Sequence, residues 1–242
     1  MHHKFSFTIL IVISLITFNA FAIESDYDTT SSWFFEIKGS KFIPNVDDEF
    51  GGSSTPFRDI FGNDGSILYK MRFDYELFKK FGIGTIGVGS GFYRVVGKAL
   101  SEDGSKSEDD TALILMPNDI SLTYRFDLPS VKWNIPLVPY IRGALTYTFW
   151  WITQGNGGIA TWNSDGSGGK ASGGTYGYEF SLGCMLLLDF FDPDAAVTMD
   201  REIGINNSYI FFEWTSNTSD NFGKTSLMVG GKYWAFGLAF EF

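Results

Sequence analysis

The chain has 242 residues and a formal net charge of −10, from 28 acidic and 18 basic side chains, so it lacks the basic footprint of a nucleic-acid binder. A single cysteine, Cys184, excludes an intramolecular disulfide, and the only histidines are His2 and His3. Aromatic residues make up 18%, charged residues only 19%, and there are 28 glycines, a balance and length that suit one β domain or an eight-stranded barrel with sizeable loops.

Taken in order, the chain opens with Lys4, an apolar run from Phe5 to Phe18, and Ala20-Phe21-Ala22 as a small-x-small cleavage site. This is the layout of a secretory signal peptide over 1–22, leaving a domain of 23–242 with Ile23 first and no lipid-anchor cysteine. Cleavage removes Lys4 and takes the charge from −10 to −11. Beyond it no apolar run reaches the ~18 residues of a spanning helix. A membrane location then requires a closed barrel, because only helices and barrels satisfy every backbone group in lipid.

Eight strand-like segments follow. In the first, Ser32 to Phe42, Trp33, Phe35 and Ile37 alternate with Glu36, Lys38 and Ser40. After a Gly-, Ser- and acid-rich loop, 43–65, the second is the clearest: Tyr69, Met71, Phe73, Tyr75 and Leu77 on one face, Lys70, Arg72, Asp74 and Glu76 on the other. The third, Gly82 to Lys98, sets Gly87, Gly89 and Gly91 opposite Ile86, Val88 and Phe92. Gly82-x-Gly84-x-x-Gly87 matches a nucleotide-loop pattern, but no helix follows, and glycines at period two fit a tight interior better. A solvated loop, 99–110, leads to the fourth, Thr111 to Asp127, where Met116-Pro117-Asn118 predicts a bulge and Arg125 shares a face with Ser121 and Thr123.

A proline-bearing turn, 128–137, precedes the fifth, Val138 to Trp151, with Arg142, Thr146 and Thr148 opposite Ile141, Leu145, Tyr147 and Phe149. A Gly/Ser/Asn tract, 154–174, separates it from the sixth, Thr175 to Asp189, where Glu179, Ser181 and Gly183 oppose Tyr178, Phe180 and Leu182. Asp192, Pro193 and Gly204 then mark the start and stop of one short helix. The seventh, Asn207 to Thr215, carries Glu213 opposite Ile210, Phe212 and Trp214; a loop, 216–232, leads to the eighth. There Trp234, Phe236, Leu238, Phe240 and Phe242 face away from Ala235, Gly237, Ala239 and Glu241.

The reading is all-β: an eight-stranded antiparallel transmembrane β-barrel, bulky face to lipid and small or charged face inward, with long extracellular loops and one short periplasmic helix. Trp33, Trp150, Trp151, Trp214 and Trp234 are expected in interfacial girdles. Glu36, Lys38, Lys70, Arg72, Asp74, Glu76, Arg125, Arg142, Glu179, Glu213 and Glu241 all fall on the inward phase. An eight-stranded barrel is barely wide enough for its own side chains, so these charges are expected to pair as an ion-pair network that plugs it.

The layout resembles the small outer-membrane barrels of the OmpA, OmpX and OmpW sort. Gly237-x-x-Phe240-x-Phe242 resembles the C-terminal signal that the bacterial barrel-assembly machinery reads, with Ala235 where a polar residue is usual. The stretches Phe191-Asp192-Pro193-Asp194 and Gly204-Ile205-Asn206-Asn207-Ser208-Tyr209 look like an uncharacterised barrel family of myxobacteria and their relatives, which implies no activity. These resemblances imply a monomer in the bacterial outer membrane whose partners are lipid, lipopolysaccharide and the assembly machinery.

No catalytic, cofactor or metal site is expected. With both histidines in the signal segment, the histidine-based mechanisms of outer-membrane lipases, acyltransferases and proteases are excluded, as is a His/Cys zinc site. Gly223-Lys224-Thr225 matches the end of a phosphate-binding loop, but Thr218 stands where its first glycine belongs. Asp47-Asp48-Glu49 and Glu108-Asp109-Asp110 match no calcium loop and read as solvated charge. Three functions stay open: a non-enzymatic structural, adhesion or loop-presenting barrel; a narrow or gated channel for small solutes or apolar molecules; and a secreted lipocalin-like ligand-binding barrel.

Overall fold

The computed structural model describes residues 32–100, 106–161, 168–224 and 226–242. The expected signal segment, 1–22, and the expected domain start at Ile23 lie outside the described residues. Eight strands follow one another: β1 (Trp33–Phe42), β2 (Ser66–Phe78), β3 (Ile83–Leu100), β4 (Lys106–Arg125), β5 (Leu137–Thr153), β6 (Ser172–Leu187), β7 (Asn207–Ser219) and β8 (Gly231–Glu241). Each pairs antiparallel with its neighbours in sequence, and β1 pairs with β8, so the sheet is a closed barrel with no free edge. The closure is completed beyond β8, where Phe242 N–H donates to Trp33 O at 2.8 Å and Trp33 N–H to Phe242 O at 3.1 Å.

Period-two alternation decides what each face meets. Trp33, Phe73, Ile120, Leu145 and Phe236 point outward and are each more than half exposed, whereas Glu36, Arg72, Arg125 and Arg142 are buried inside. The short turns 79–82 and α2 (Leu128–Trp133) lie at one end of the barrel, together with the longer segment carrying α3 (Pro193–Ile203). There β1 begins and β8 ends, and the connections 43–65, 154–171 and 220–230 lie at the opposite, loop end. In α3, Asp192 caps the first turn by accepting from Ala195 N–H at 3.0 Å, and Gly204 ends it in the left-handed region at φ 71°.

The structure corrects five local expectations. No bulge forms at Met116-Pro117-Asn118: β4 keeps one register with β5 throughout, and its pairing with β3 pauses opposite Gly91 and Phe92 without a change of register, which shifts instead near the loop end, between Lys98 and Leu100. Proline lacks the N–H for that rung, and Gly91 leaves its ring room, so the strand runs through without an extra residue. The loop expected over 99–110 is mostly strand, since β3 and β4 pair as far as Leu100 and Lys106, with Lys98 Nζ 2.7 Å from Asp110. Trp150 faces inward rather than joining a girdle. Two further short helices form, α1 (Pro56–Phe61) and α2. Asp47, expected as solvated charge, accepts from Phe57 N–H at 2.7 Å and Arg58 N–H at 3.2 Å in the first turn of α1.

Candidate functional site

The barrel interior holds the densest polar chemistry of the fold, and it is stacked in three layers. At the loop end Phe42, Leu68, Tyr93, Leu113 and Leu115 from the strands meet Val46, Phe57 and Val229 from the connections, forming an apolar cap. Toward the other end Val138, Tyr140, Met185, Tyr209 and Phe211 form a second apolar cluster. The charged residues occupy the level between.

All eleven residues singled out from the sequence are buried in the barrel: Glu36, Lys38, Lys70, Arg72, Asp74, Glu76, Arg125, Arg142, Glu179, Glu213 and Glu241. Nine of them belong to one connected set. Arg142 is its hub, with Nη2 donating to both oxygens of Glu36 at 2.7 and 2.6 Å, Nη1 to Glu213 at 3.0 Å and Nε to Thr123 Oγ1 at 3.0 Å. Arg125 Nη2 donates to Glu36 and Asp74, both at 2.8 Å, with its guanidinium 4.1 Å from the centre of the Phe34 ring. Lys38 pairs with Glu213, and Tyr140 OH donates to the same carboxylate at 2.7 Å.

The set continues toward the loop end. Lys70 donates to both oxygens of Glu179, at 2.9 and 3.0 Å, and lies 3.1 Å from Asp119, whose other oxygen is 2.7 Å from Arg72 Nη2. Arg72 Nε lies 4.0 Å from Glu36, joining this group to the Arg142 hub. Asn217 and Tyr233 OH each donate to Glu179 at 3.1 Å. Five carboxylates (Glu36, Asp74, Asp119, Glu179 and Glu213) thus face five cations (Lys38, Lys70, Arg72, Arg125 and Arg142), leaving the set formally neutral. Neutrality and multiple hydrogen bonds are what let charges sit where desolvation costs several kcal/mol per ion.

Two of the eleven stand apart. Glu241, near the short-turn end, accepts from Tyr209 OH at 3.1 Å and Asn207 at 3.0 Å and lies 3.5 Å from Lys79 Nζ. Glu76 forms no ion pair among the described residues, and its Oε2 is buried without a hydrogen bond. Outside the strands, half-buried Asp127 has its carboxyl pushed above the usual range by burial, with Lys79 nearby pulling it down and Glu241 pushing it up.

Asp119 is the member that sequence reasoning missed. The presumed bulge at Pro117 broke the inward phase one step before it, although Ser121 and Thr123 carry that phase straight back to Asp119. The glycines of β3 explain how the set fits. A Cβ on Gly89 would lie 2.7 Å from Asp119 Oδ2 and 3.1 Å from Arg72 Nη2, so the Arg72–Asp119 pair passes over this backbone. A Cβ on Gly87 would lie 2.7 Å from Asp74 Cγ. A small cavity lined by Lys70, Glu179, Thr148, Asn217 and Tyr233 has a volume of about 10 Å³, room for about one water.

Of the terminal-strand residues, Phe240 and Phe242 lie on the outward face, while Gly237 faces in, where a Cβ would come within 2.5 Å of the Phe211 ring. Close packing therefore already accounts for the glycine. Among the described residues no cluster of three or more His, Cys, Asp or Glu is placed to hold a metal.

No protein-family model and no curated protein matches the chain. Among solved structures it is similar to Ail, the attachment invasion locus protein of Yersinia pestis. The TM-score is 0.41 at 11% identity, over 88% of this chain and 97% of that one. Ail in complex with the heparin analogue sucrose octasulfate gives the same TM-score and coverage at 12% identity.

Proposed function

We propose that this chain is a non-enzymatic integral barrel of the bacterial outer membrane, closed to solutes, that serves as a structural element or presents its long loops to the outside. One observation carries the reading: the barrel is inverted relative to a soluble protein, with a neutralised charge set inside and a predominantly apolar outer wall. Such a wall is stable against hydrocarbon and unstable against water. No described helix is long and apolar enough to cross a membrane, so crossing falls to the strands. A lipocalin-like role needs the opposite polarity, an apolar cavity within a polar exterior.

The layers support the closed interior. A solute path has to pass an apolar cap, the paired charges and a second apolar cluster. In this reading the short-turn end is periplasmic, and Phe240 and Phe242 present the outward aromatic edge of the last strand to the assembly machinery.

The test is fractionation of expressing cells with gel migration of boiled and unboiled samples. An outer-membrane band that migrates differently on boiling supports the reading. A protein that stays soluble in the periplasm or medium overturns it. Planar-bilayer recording of the refolded chain then separates plug from pore: a stable, stepwise conductance overturns the closed interior and makes the channel the better account.

A further inference from the structure

On this membrane reading, we infer that one sector of the outer wall seats the phosphorylated headgroup of an anionic outer-leaflet lipid. The chain is strongly acidic, yet the outward faces of β8, β1 and β3 at the loop end carry Lys232, Lys41 and Arg94 within one arc of four adjacent strands. Lys41 pairs across to Ile67 of β2, and the Leu68–Tyr93 pairing sets Arg94 on the far side of that same Ile67. Two strand spacings put the Lys41 and Arg94 backbones roughly 10 Å apart, within reach of one phosphate for side chains this long. On the other side of β1, the Ser40–Ala235 pairing carries Lys232 to the level of Ile43.

These cations have little to neutralise them. Arg94 and Lys232 have no ion pair among the described residues, and Lys41 has only an open contact, 3.7 Å to Asp64, with both side chains mostly exposed, worth little in water. The next basic residue along β3, Lys98, is by contrast held by Asp110 at 2.7 Å. Elsewhere the outward loop-end positions differ: β4 carries Glu108 and Asp110, β5 carries Trp151 and Thr153, and β7 carries Ser216 and Thr218. The basic arc is therefore a local feature rather than a ring.

What lies beneath it suits the rest of a lipid. Trp234, Tyr69 and Phe92 sit one outward step below Lys232, Ile67 and Arg94, at the depth where aromatic rings meet headgroups. A further step down β2 and β3, a groove of about 850 Å³ crosses the wall, lined by Met71, Phe73, Val88, Ile120, Leu145 and Tyr176. Its floor holds the outward pair Ser90 and Asn118, hydrogen-bonded at 2.9 Å. Phosphate on the arc, glycerol or sugar at the aromatics and acyl chain in the groove describe one ligand lying along the wall.

The test uses the refolded full chain in phosphatidylcholine nanodiscs doped with bis-phosphorylated lipid A or its dephosphorylated form, with retained lipid read by native mass spectrometry. The wild type should retain the phosphorylated lipid preferentially. Each of Lys41→Ala, Arg94→Ala and Lys232→Ala should weaken retention about fivefold, the scale of one basic residue at an anionic surface. Arg94→Lys should keep most of it, and Lys80→Ala, at the opposite end, should change nothing. Equal retention of both lipids, or a triple variant that binds like wild type, overturns the inference while leaving the membrane reading intact. Displacement by equimolar inorganic phosphate overturns it in favour of a simple anion site. A wild-type chain that does not enter the nanodisc removes the membrane reading itself.

Discussion

At the scale of single residues, the barrel depends on charges that have nowhere else to go. Arg142 bridges Glu36 and Glu213, so Arg142→Ala leaves two buried carboxylates short of a cation. Breaking a buried pair in this way costs about 3–5 kcal/mol. Urea unfolding in lipid should show that loss, with no rise in bilayer conductance, because the apolar layers above and below remain. Arg72→Ala should behave alike.

Asp119→Asn should also be costly, since it removes the charge facing both Lys70 and Arg72. Glu76→Gln should cost less than about 1 kcal/mol, because Glu76 anchors no ion pair. Equal losses at positions 119 and 76 would mean that burial alone, not pairing, sets the energetics.

The inward phase of these charges was legible from alternation in β1, β2 and β5. Their partners were not. Pairing between Lys70 on β2 and Glu179 on β6, or Arg142 on β5 and Glu36 on β1, crosses the lumen between strands that are not neighbours. Alternation gives a residue's face but not its height in a sheared barrel. The tyrosines that complete the set, Tyr140 and Tyr233, were not legible as its partners for the same reason.

At the scale of elements, β3 shows why a strand with so many glycines is not a weak one. Its inward face is a trough for side chains from β2 and β4. Gly89→Ala should cost about 1–3 kcal/mol by overpacking, since its methyl meets Asp119 and Arg72. Gly143, outward on β5 with nothing within 4 Å of a Cβ, should accept alanine at little cost. Denaturant midpoints of the two variants test the contrast.

Strand ends were the least legible feature. Acidic composition around 99–110 signalled a loop, whereas the hairpin extends because cross-strand partners such as Lys98 and Asp110 keep the ladder attractive beyond the apolar wall. The helix α3 was legible because its signals are local: Asp192→Ala should lower protection of the first-turn amides in hydrogen exchange by about 1 kcal/mol.

At the scale of the whole molecule, closure and inversion go together. A sheet with an apolar outer face and a charged inner face has no stable open form in lipid, because unpaired edges would expose backbone groups to hydrocarbon. The β1–β8 pairing removes that edge, and the neutral charge set offsets part of the cost of a polar lumen. The eight-strand closed architecture was legible from the count of alternating segments and their connections. The apolar cap was not: it is built partly from Val46, Phe57 and Val229, in connections whose composition reads only as loop.

The central claim, lipid outside and a closed charged interior, is tested most directly along β5. In a Cys184→Ser background, single cysteines at positions 141 to 149 carry a fluorophore in bilayers containing brominated lipid. The account predicts quenching with period two: strong at Ile141, Leu145 and Phe149, and absent at Thr146 and Thr148, which should also resist aqueous maleimide. Strong aqueous labelling of the inward positions, or quenching that shows no alternation, would contradict it.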